Sequence, residues 1–151
     1  MRVAIGSDHF GLALKNVLFA HLKERGHDVT DCGVYTPEAV DYPDIAEAVA
    51  LAVAGGQYER GVLICGTGIG MAICANKVPG IRAAQVHDVY SAERAAKSND
   101  AQIITMGSQV IGPELAKMLV DAWLSSEFAG GRSAPKVEKI RRIDQKYRRP
   151  G

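Results

Sequence analysis

Short apolar runs alternate along the chain with longer segments in which apolar residues recur every three or four positions. The first pattern indicates buried strands, and the second indicates helices that bury one face. The predicted strands span residues 3–6, 28–31, 61–65, 81–86 and 101–106. The predicted helices span residues 12–25, 44–54, 71–77, 89–97, 113–125 and 136–147. Strand and helix therefore alternate from one end of the chain to the other.

The first predicted helix shows the amphipathic pattern most clearly. Its apolar residues Leu14, Val17, Leu18 and Leu22 fall on one face. Gly26 follows at the position where a residue in the left-handed conformation commonly caps a helix. We therefore expect this face to be buried against the rest of the protein and the helix to end at the glycine.

The alternation of apolar strands with helices predicts a fold of the α/β class. Strands that are apolar over their whole length belong to parallel sheets that helices cover on both faces. Five such strands fit an open, doubly wound sheet in a single domain that spans residues 1–151. In sheets of this kind, ligands bind beyond the carboxyl ends of the strands.

Composition and charge narrow the class of protein. Of the 151 residues, 47% are hydrophobic and 23% are charged, so the chain can form a packed core. The formal net charge of +1 gives no sign of a nucleic-acid partner, and no apolar run is long enough to span a membrane. Cys32, Cys65 and Cys74 are odd in number and lack CxxC spacing, which argues against disulfides and zinc. We expect reduced thiols, no metal and a cytoplasmic location.

Polar residues follow three of the predicted strands. They are Ser-Asp-His at 7–9, Cys-Gly-Thr at 65–67 and His-Asp at 87–88. Because the carboxyl ends of parallel strands meet at one edge of a sheet, we expect these three segments to lie close together. His9 alone would be a common structural histidine, but its place after Asp8 at a strand end makes it a candidate ligand.

The segment Cys-Gly-Thr-Gly-Ile-Gly at 65–70 joins a buried strand to a helix. Three glycines in five residues allow sharp turns that point several N–H groups at one spot, which suits an anion or a developing oxyanion. A dinucleotide-binding fingerprint would need glycine where Met71 or Ile73 stands, and no Gly-Lys-Ser/Thr follows for a P-loop. We therefore interpret the loop as an oxyanion or carboxylate cradle rather than a nucleotide site.

Cys65 is the last residue of its predicted strand and stands directly before this cradle. A thiol at the N-terminus of a helix forms a thiolate more readily, and a thiolate can act as a base or a nucleophile. We interpret Cys32 and Cys74 as small buried apolar residues. Thr67 either orients a substrate hydroxyl or caps the following helix.

Six segments resemble, in order, the ribose-5-phosphate isomerase B family, which includes galactose-6-phosphate isomerases. They are GSDHFG at 6–11, DYPD at 41–44, ICGTGIGMAICANKVPGIRA at 64–83, YSAERA at 90–95, SNDAQIITMGSQVIG at 98–112 and GGRS at 130–133. The resemblance implies a Rossmann-like three-layer α/β/α sandwich with a five-stranded parallel sheet. It also implies a homodimer, or a tetramer, in which each active site is built from two subunits.

The resemblance assigns roles to particular residues of this chain. Cys65 corresponds to the base that transfers the proton, with Thr67 beside it. The residues assigned to substrate binding are Asp8, His9, Tyr42, Gly66, Thr67, Gly68, Ile69, Gly70, Asn99, Gln109, Arg132 and Lys136. Of these, residues 66–70 correspond to the anion hole, and Arg132 and Lys136 to the basic pair that reaches the phosphate, usually from the neighbouring subunit.

Three positions depart from the family's pattern. The family commonly has a histidine, the acid that opens a furanose ring, where this chain has Ser98. It often has arginine where this chain has Gln109, and the second basic residue is Lys136, which keeps the charge but loses bidentate geometry. Ring opening is then assigned either to His87, at a neighbouring strand end, or to the position of Ser98 itself.

The resemblance implies a cofactor-independent aldose–ketose isomerase that acts on a small-molecule sugar phosphate through an enediolate. Ribose 5-phosphate and ribulose 5-phosphate are the expected pair. Ser98 is also compatible with erythrulose 4-phosphate and erythrose 4-phosphate, because the oxygen that would close the ring carries the phosphate there. A hexose 6-phosphate is the third alternative. A non-catalytic anion-binding module with an inert Cys65 is the alternative from a different class.

The C-terminal segment 130–151 is rich in basic residues and follows the last predicted strand and its helix. We expect its helix to pack on a partner subunit at the dimer interface. A helix whose charges are simply solvated is the alternative.

Overall fold

The computed structural model describes residues 1–148, so residues 149–151 of the predicted domain lie outside the described residues. The strands are β1 (Arg2–Ser7), β2 (Asp28–Asp31), β3 (Arg60–Cys65), β4 (Ala83–Gln85) and β5 (Ile103–Gly107). The helices are α1 (Leu12–Glu24), α2 (Tyr42–Ala54), α3 (Ile69–Ala75), α4 (Val89–Lys97), α5 (Pro113–Leu124) and α6 (Ala134–Lys146). All eleven predicted elements are present in the predicted order. No helix within residues 1–148 is long and apolar enough to cross a membrane.

Three helices, α2, α3 and α6, begin two residues before their predicted starts, and in two of them a proline lies in the first turn. Pro43 lies in the first turn of α2, and Pro135 lies in the first turn of α6. The N–H groups of a first turn have no acceptor within the helix, so a proline there costs little and does not delay the helix. The loop ahead of α2 is correspondingly shorter than predicted.

All five strands are parallel, in the order β2-β1-β3-β5-β4. β5 therefore lies inside the sheet with every residue buried, whereas β4 forms its edge. β4 has only three residues, fewer than predicted. At its start the side chains of Asn76 and Gln102 accept the N–H groups of Ala83 and Arg82, each at 2.8 Å. At the predicted start of β4, these N–H groups therefore bond to side chains instead of to the backbone of a neighbouring strand.

Residues of the central strands alternate between two separate cores. Val62 and Ile64 of β3 face the core beneath α1, α4 and α5. Leu63 and Cys65 face the core beneath α2 and α3. The sheet is therefore covered on both faces, which confirms the predicted three-layer, Rossmann-like α/β/α sandwich. Cys65 lies at the carboxyl end of β3, on the side of α2 and α3.

The buried face of α1 differs from the prediction at three positions. Val17 is only half-buried, while Lys15 and His21 are buried. The ammonium of Lys15 lies 2.6 Å from the carboxylate of Asp31 and also donates to the carbonyl oxygen of Val34. A buried charge is tolerated only when it is paired, and these contacts satisfy it. Lys15 therefore fixes the start of the loop between β2 and α2 to α1.

The C-terminal segment lies at the amino edge of the sheet. The N–H of Ala129 donates to the carbonyl of Lys97, at the end of α4, and a 3₁₀ turn, Gly131–Ser133, then leads into α6. The carboxylate of Asp144 on α6 accepts the N–H of Gly80 at 2.8 Å. α6 is thus attached to its own protomer at the edge opposite to Cys65.

Candidate active site

The carboxyl ends of β1, β3 and β4 bring the three predicted polar segments to one edge of the sheet. The N–H of Asp8 donates to the carbonyl of Ile64 at 3.2 Å, and its buried carboxylate accepts the N–H of Gly11 at 3.1 Å. The imidazole of His9 accepts the N–H of Val40 at its Nδ1 atom, at 3.2 Å. Because Nδ1 is an acceptor in this bond, the proton of neutral His9 lies on Nε2 and can be donated to a ligand.

Cys65 is 5% exposed, and its sulfur accepts the N–H of Gly68 at 3.1 Å. The hydroxyl of Thr67 is exposed and accepts the N–H of Ile69, the first residue of α3, at 3.2 Å. The N-cap of α3 is Gly68 rather than Thr67, but the hydroxyl of Thr67, one residue earlier, still accepts one N–H group of the first turn. The proton of its hydroxyl is not used in that bond and can still be donated to a substrate.

The loop from Gly66 to Gly68 lies directly against the end of β5. Gly68 has a φ of +79°, and a Cβ at this position would lie 2.8 Å from backbone atoms of Met106. A Cβ on Gly107 would lie 2.5 Å from the Cα of Thr67. Two glycines are thus required for this approach, one in the loop and one in the strand.

Among the N–H groups of this loop region that have no acceptor within the described residues, two lie at the start of α3. They belong to Gly70 and Met71, in the first turn of α3, where N–H groups lack acceptors within the helix. The carbonyls four residues before them already accept other donors, namely the backbone N–H of Gln109 and the side-chain amide of Gln85. Within the described residues neither N–H has an acceptor. N–H groups without an acceptor are the donors that an oxyanion requires, and the cradle at 66–70 stays a prediction.

Tyr42 and Gln109 border the same loop. A Cβ on Gly70 would lie 2.2 Å from the ring of Tyr42, so the ring, 39% exposed, rests directly on this glycine. The side-chain oxygen of Gln109 lies 3.5 Å from the position of a Cβ on Gly66. These two side chains thus form walls on two sides of the cradle.

His87 lies on the same edge, next to the strand pair that ends at Cys65. Its Nε2 atom accepts the N–H of Gly107 at 2.9 Å, and Gly107 is the residue of β5 that pairs with Cys65. This bond requires an unprotonated Nε2, so neutral His87 carries its proton on Nδ1. His87 is therefore available as a hydrogen-bond donor near the site through Nδ1 only.

The remaining predicted residues lie at the other edge of the sheet. Ser98 and Asn99 follow α4 and precede β5, and the exposed Arg132 and Lys136 lie in the segment attached to the end of α4. The four steps along β5 from Ile103 to Gly107 alone span about 13 Å. One protomer therefore does not bring these four residues to its own Cys65.

A groove of about 910 Å³ occupies this second edge, between α6 and the amino ends of β4 and β5. Asn99 lines it together with Ile140 and Ile143 of α6, which are 40% and 60% exposed. The groove is separate from the site around Cys65, and its apolar residues leave one side of α6 uncovered within the protomer.

Cys32 and Cys74 pack against the core beneath α2 and α3 but are only partly buried, not buried as predicted, whereas Cys65 is buried. Burial raises the pKa of Cys32 and of Cys74 above the ordinary value, so both remain protonated at neutral pH. All three cysteines are free.

Sequence reasoning did not assign a role to Lys15, although a lysine within an apolar helix face was a signal of a buried ion pair.

Comparison with known proteins agrees with the fold and the order of motifs. Residues 3–140 match the family described as Ribose/Galactose Isomerase. A Listeria innocua protein named Ribose-5-P isomerase B is 60% identical over 148 residues, covering 98% of this chain and 100% of that one. The D-erythrulose-4-phosphate isomerase of Pectobacterium atrosepticum is 56% identical over 142 residues, 93% of each chain.

The solved structure of Clostridium thermocellum Ribose-5-Phosphate Isomerase B has a TM-score of 0.96 and 49% identity to this protein. The similarity covers 98% of this chain and 100% of that chain. Sequence and fold agree over nearly the whole length, and the chain belongs to the Ribose/Galactose Isomerase family.

Proposed function

We propose that this protein interconverts ribose 5-phosphate and ribulose 5-phosphate, with Cys65 as the base and without a metal or cofactor. The observation that carries the proposal is the sulfur of Cys65, which accepts the N–H of Gly68 beside the free N–H groups of Gly70 and Met71. A base next to oxyanion donors is what an enediolate mechanism requires. The 60% identical relative named Ribose-5-P isomerase B supports this substrate.

The reaction needs one base, one set of oxyanion donors and one proton relay. The Cys65 thiolate removes the proton from carbon 2 of the open-chain aldose, and the electron pair forms the double bond to carbon 1. The oxygen on carbon 1 becomes the enediolate oxygen and is stabilised by the free N–H groups. Thr67 passes the hydroxyl proton of oxygen 2 to oxygen 1. Carbon 1 then takes the proton from the sulfur, which yields the ketose and the thiolate.

Side chains around the loop hold the substrate in this scheme. Asp8 accepts hydroxyl groups of the sugar, and the Nε2–H of His9 donates to a hydroxyl or phosphate oxygen. Tyr42 and Gln109 contact the chain from the two sides of the cradle. Fixing the remote phosphate places the reacting carbons against the sulfur, which converts binding energy into rate.

We further propose that each site is completed by a second copy of the chain, in a cytoplasmic homodimer. Arg132, Lys136 and Asn99 of one protomer would contact the substrate held at Cys65 of its partner. The support is their position at the opposite edge of their own sheet, together with the uncovered apolar side of α6. In a dimer with two-fold symmetry the same contact is made twice.

Mixing two inactive variants tests whether the site is shared. Cys65→Ala and Arg132→Ala would each be inactive, but a mixed dimer has one site with both residues intact. Subunit exchange should therefore restore up to about a quarter of the wild-type activity per protomer. If both residues serve the same protomer's site, both sites of the mixed dimer carry one defect and no activity returns.

A coupled isomerase assay with binding measurements tests the activity itself. Cys65→Ala should lower turnover by about 10²- to 10⁴-fold, the usual contribution of a general base, with little loss of substrate affinity by calorimetry. Cys74→Ala, a thiol on the same face of the sheet, is the matched control and should keep its activity. An anion-binding module would bind the sugar phosphate but show no turnover in the wild-type protein.

A four-carbon substrate is the second candidate, favoured by Ser98. Erythrose 4-phosphate cannot close the furanose ring, so it needs no acid for ring opening. The 56% identical relative is named D-erythrulose-4-phosphate isomerase. Comparing kcat/KM for both substrates in wild type and His87→Ala decides between them. A loss confined to ribose 5-phosphate supports the pentose with ring opening by His87, whereas high tetrose activity that is indifferent to His87 supports the tetrose.

A further inference from the structure

The side chains of Gln85 and Thr105 each donate a hydrogen bond to a backbone carbonyl of the loop at 66–70. We propose that Gln85 and Thr105 are positioning residues, which orient the peptide groups around Gly68 so that their N–H groups face the reacting atoms. The inference rests on the proposed role of Cys65. Neither residue touches the substrate in this scheme, and both act through the loop backbone.

Thr105 lies in β5 and is fully buried, in a strand whose other residues are glycine or apolar. Its hydroxyl donates to the carbonyl of Gly68 at 2.7 Å. A hydroxyl in a core without a partner would destabilise the fold, so this bond accounts for threonine where valine would pack equally well. This contact could not be predicted from the sequence, because residues 68 and 105 are far apart along the chain.

Gln85 ends β4, the edge strand, and its side chain is exposed. Its amide donates to the carbonyl of Thr67 at 2.8 Å. Gln85 and Thr105 therefore bind the carbonyls of two consecutive residues, from two neighbouring strands. We call this pair of side chains the carbonyl clamp.

The planar peptide group transmits these contacts to the site. In a trans peptide the carbonyl of one residue and the N–H of the next point in opposite directions. Holding the carbonyl of Thr67 therefore directs the N–H of Gly68 the other way, where it meets the sulfur of Cys65 at 3.1 Å. Holding the carbonyl of Gly68 likewise directs the N–H of Ile69 toward the hydroxyl of Thr67 at 3.2 Å.

Loss of the Gln85 bond would allow the peptide group between Thr67 and Gly68 to rotate, because the carbonyl of Thr67 has no other donor among the described residues. The sulfur of Cys65 would then lose its N–H donor, and a carbonyl oxygen would turn toward the position of the enediolate. The carbonyl of Gly68 also accepts the N–H of Ala72 at 3.1 Å, so loss of the Thr105 bond would loosen the next peptide group rather than free it. Gly68 offers little resistance, since glycine populates a wide range of backbone angles. The clamp thus restricts the backbone conformation of a loop whose glycines would otherwise leave it free to rotate.

Each of the two clamp variants removes one bond. Thr105→Val removes the hydroxyl at constant shape, and Thr105→Ser is the control that retains it. Gln85→Met removes the amide at an exposed position where misfolding is not a concern. Gln102→Met is the control at the opposite edge of the sheet: it removes the bond to the carbonyl of Gly80 and the bond from the N–H of Arg82, both 2.8 Å, so it disturbs β4 more than Gln85→Met does but leaves the loop at 66–70 untouched.

Two readouts separate positioning from stability. The clamp variants should lower kcat about fivefold, the value of one hydrogen bond, with less than about a twofold change in KM. They should also slow alkylation of Cys65 by iodoacetamide, followed by mass spectrometry with Cys32 and Cys74 replaced by serine. Both control variants should match the parent protein in both measurements.

Wild-type kcat and wild-type alkylation in either clamp variant would overturn the inference. So would an equal loss in Gln102→Met, which would indicate a general effect on the fold. The alkylation readout does not depend on the substrate. An absence of isomerase activity in the parent therefore disproves the proposed function, while the clamp is still judged by the reactivity of the thiol.

Discussion

Replacing Gly68 by alanine probes the contact that shapes the site, and Gly26→Ala is a matched control. The two glycines have similar backbone angles, with φ of +79° and +85°. A Cβ on Gly26, which ends α1 as predicted, would meet nothing within 4 Å. A Cβ on Gly68 would lie 2.8 Å from the backbone of Met106, which cannot rotate away as a side chain could. Both variants bear the cost of a left-handed backbone angle, so the difference between their unfolding free energies measures the steric contact at Gly68.

The magnitude follows from these contacts. The left-handed conformation costs a residue with a Cβ about 1–2 kcal/mol at either position. At Gly68 the loop must also move off β5, which breaks the bonds to Thr105 and Cys65, each worth about 1 kcal/mol. Gly68→Ala should therefore lower the free energy of unfolding by about 2 kcal/mol more than Gly26→Ala. For a chain of this size that is a further loss of about 4–8 °C in Tm.

Urea denaturation and the isomerase assay together check this prediction. Gly26→Ala should keep wild-type kcat, whereas Gly68→Ala should lose about 10²-fold or more, because a shift of the loop displaces the oxyanion donors of Gly70 and Met71 from the reacting atoms. Equal unfolding free energies for the two variants, with intact kcat in Gly68→Ala, would refute the reasoning about the loop.

Three further predictions concern other parts of the molecule. Lys15→Met should cost about 3 kcal/mol in urea denaturation, because it leaves the carboxylate of Asp31 unpaired, and a loss below about 1 kcal/mol would contradict this. The hydrogen bond from Gly80 lowers the pKa of Asp144, so its contribution to stability is complete at neutral pH and is lost as pH falls through the lowered pKa. The stability difference between wild type and Asp144→Ala should thus shrink below about pH 4, and a constant difference would argue against the bond. Ser98→His should raise kcat/KM for ribose 5-phosphate but not for erythrose 4-phosphate, and an equal gain on both would exclude ring opening as the cause.

The local structure of the chain was predictable because it depends on neighbouring residues. Apolar periodicity located all eleven elements, and Gly26 marked the end of α1. The cluster of glycines at 66–70 indicated a cradle, since glycine spacing encodes sharp turns directly. The differences between predicted and observed helix starts are also local. Pro43 and Pro135 lie within the first turns of α2 and α6, whereas the prediction places them before these helices.

The order of the strands was decided only by tertiary structure. Nothing in the pattern of β4 and β5 states that β5 lies beside β3, because pairing depends on which strand can be buried on both sides. That order brings Gly107 against the loop at 66–68 and His87 near Cys65, while β4 becomes a short edge strand.

Some residues of the site could be grouped from the sequence, whereas the positions of others depend on the order of the strands. Asp8, His9 and Cys65 could be grouped from the sequence, because residues at the ends of parallel strands must share an edge. The separation of Asn99 and Arg132 from them, and the contact of Thr105 with Gly68, required the packed structure. The sequence by itself determines which residues follow a strand or a turn, and long-range packing of the sheet determines which of them meet.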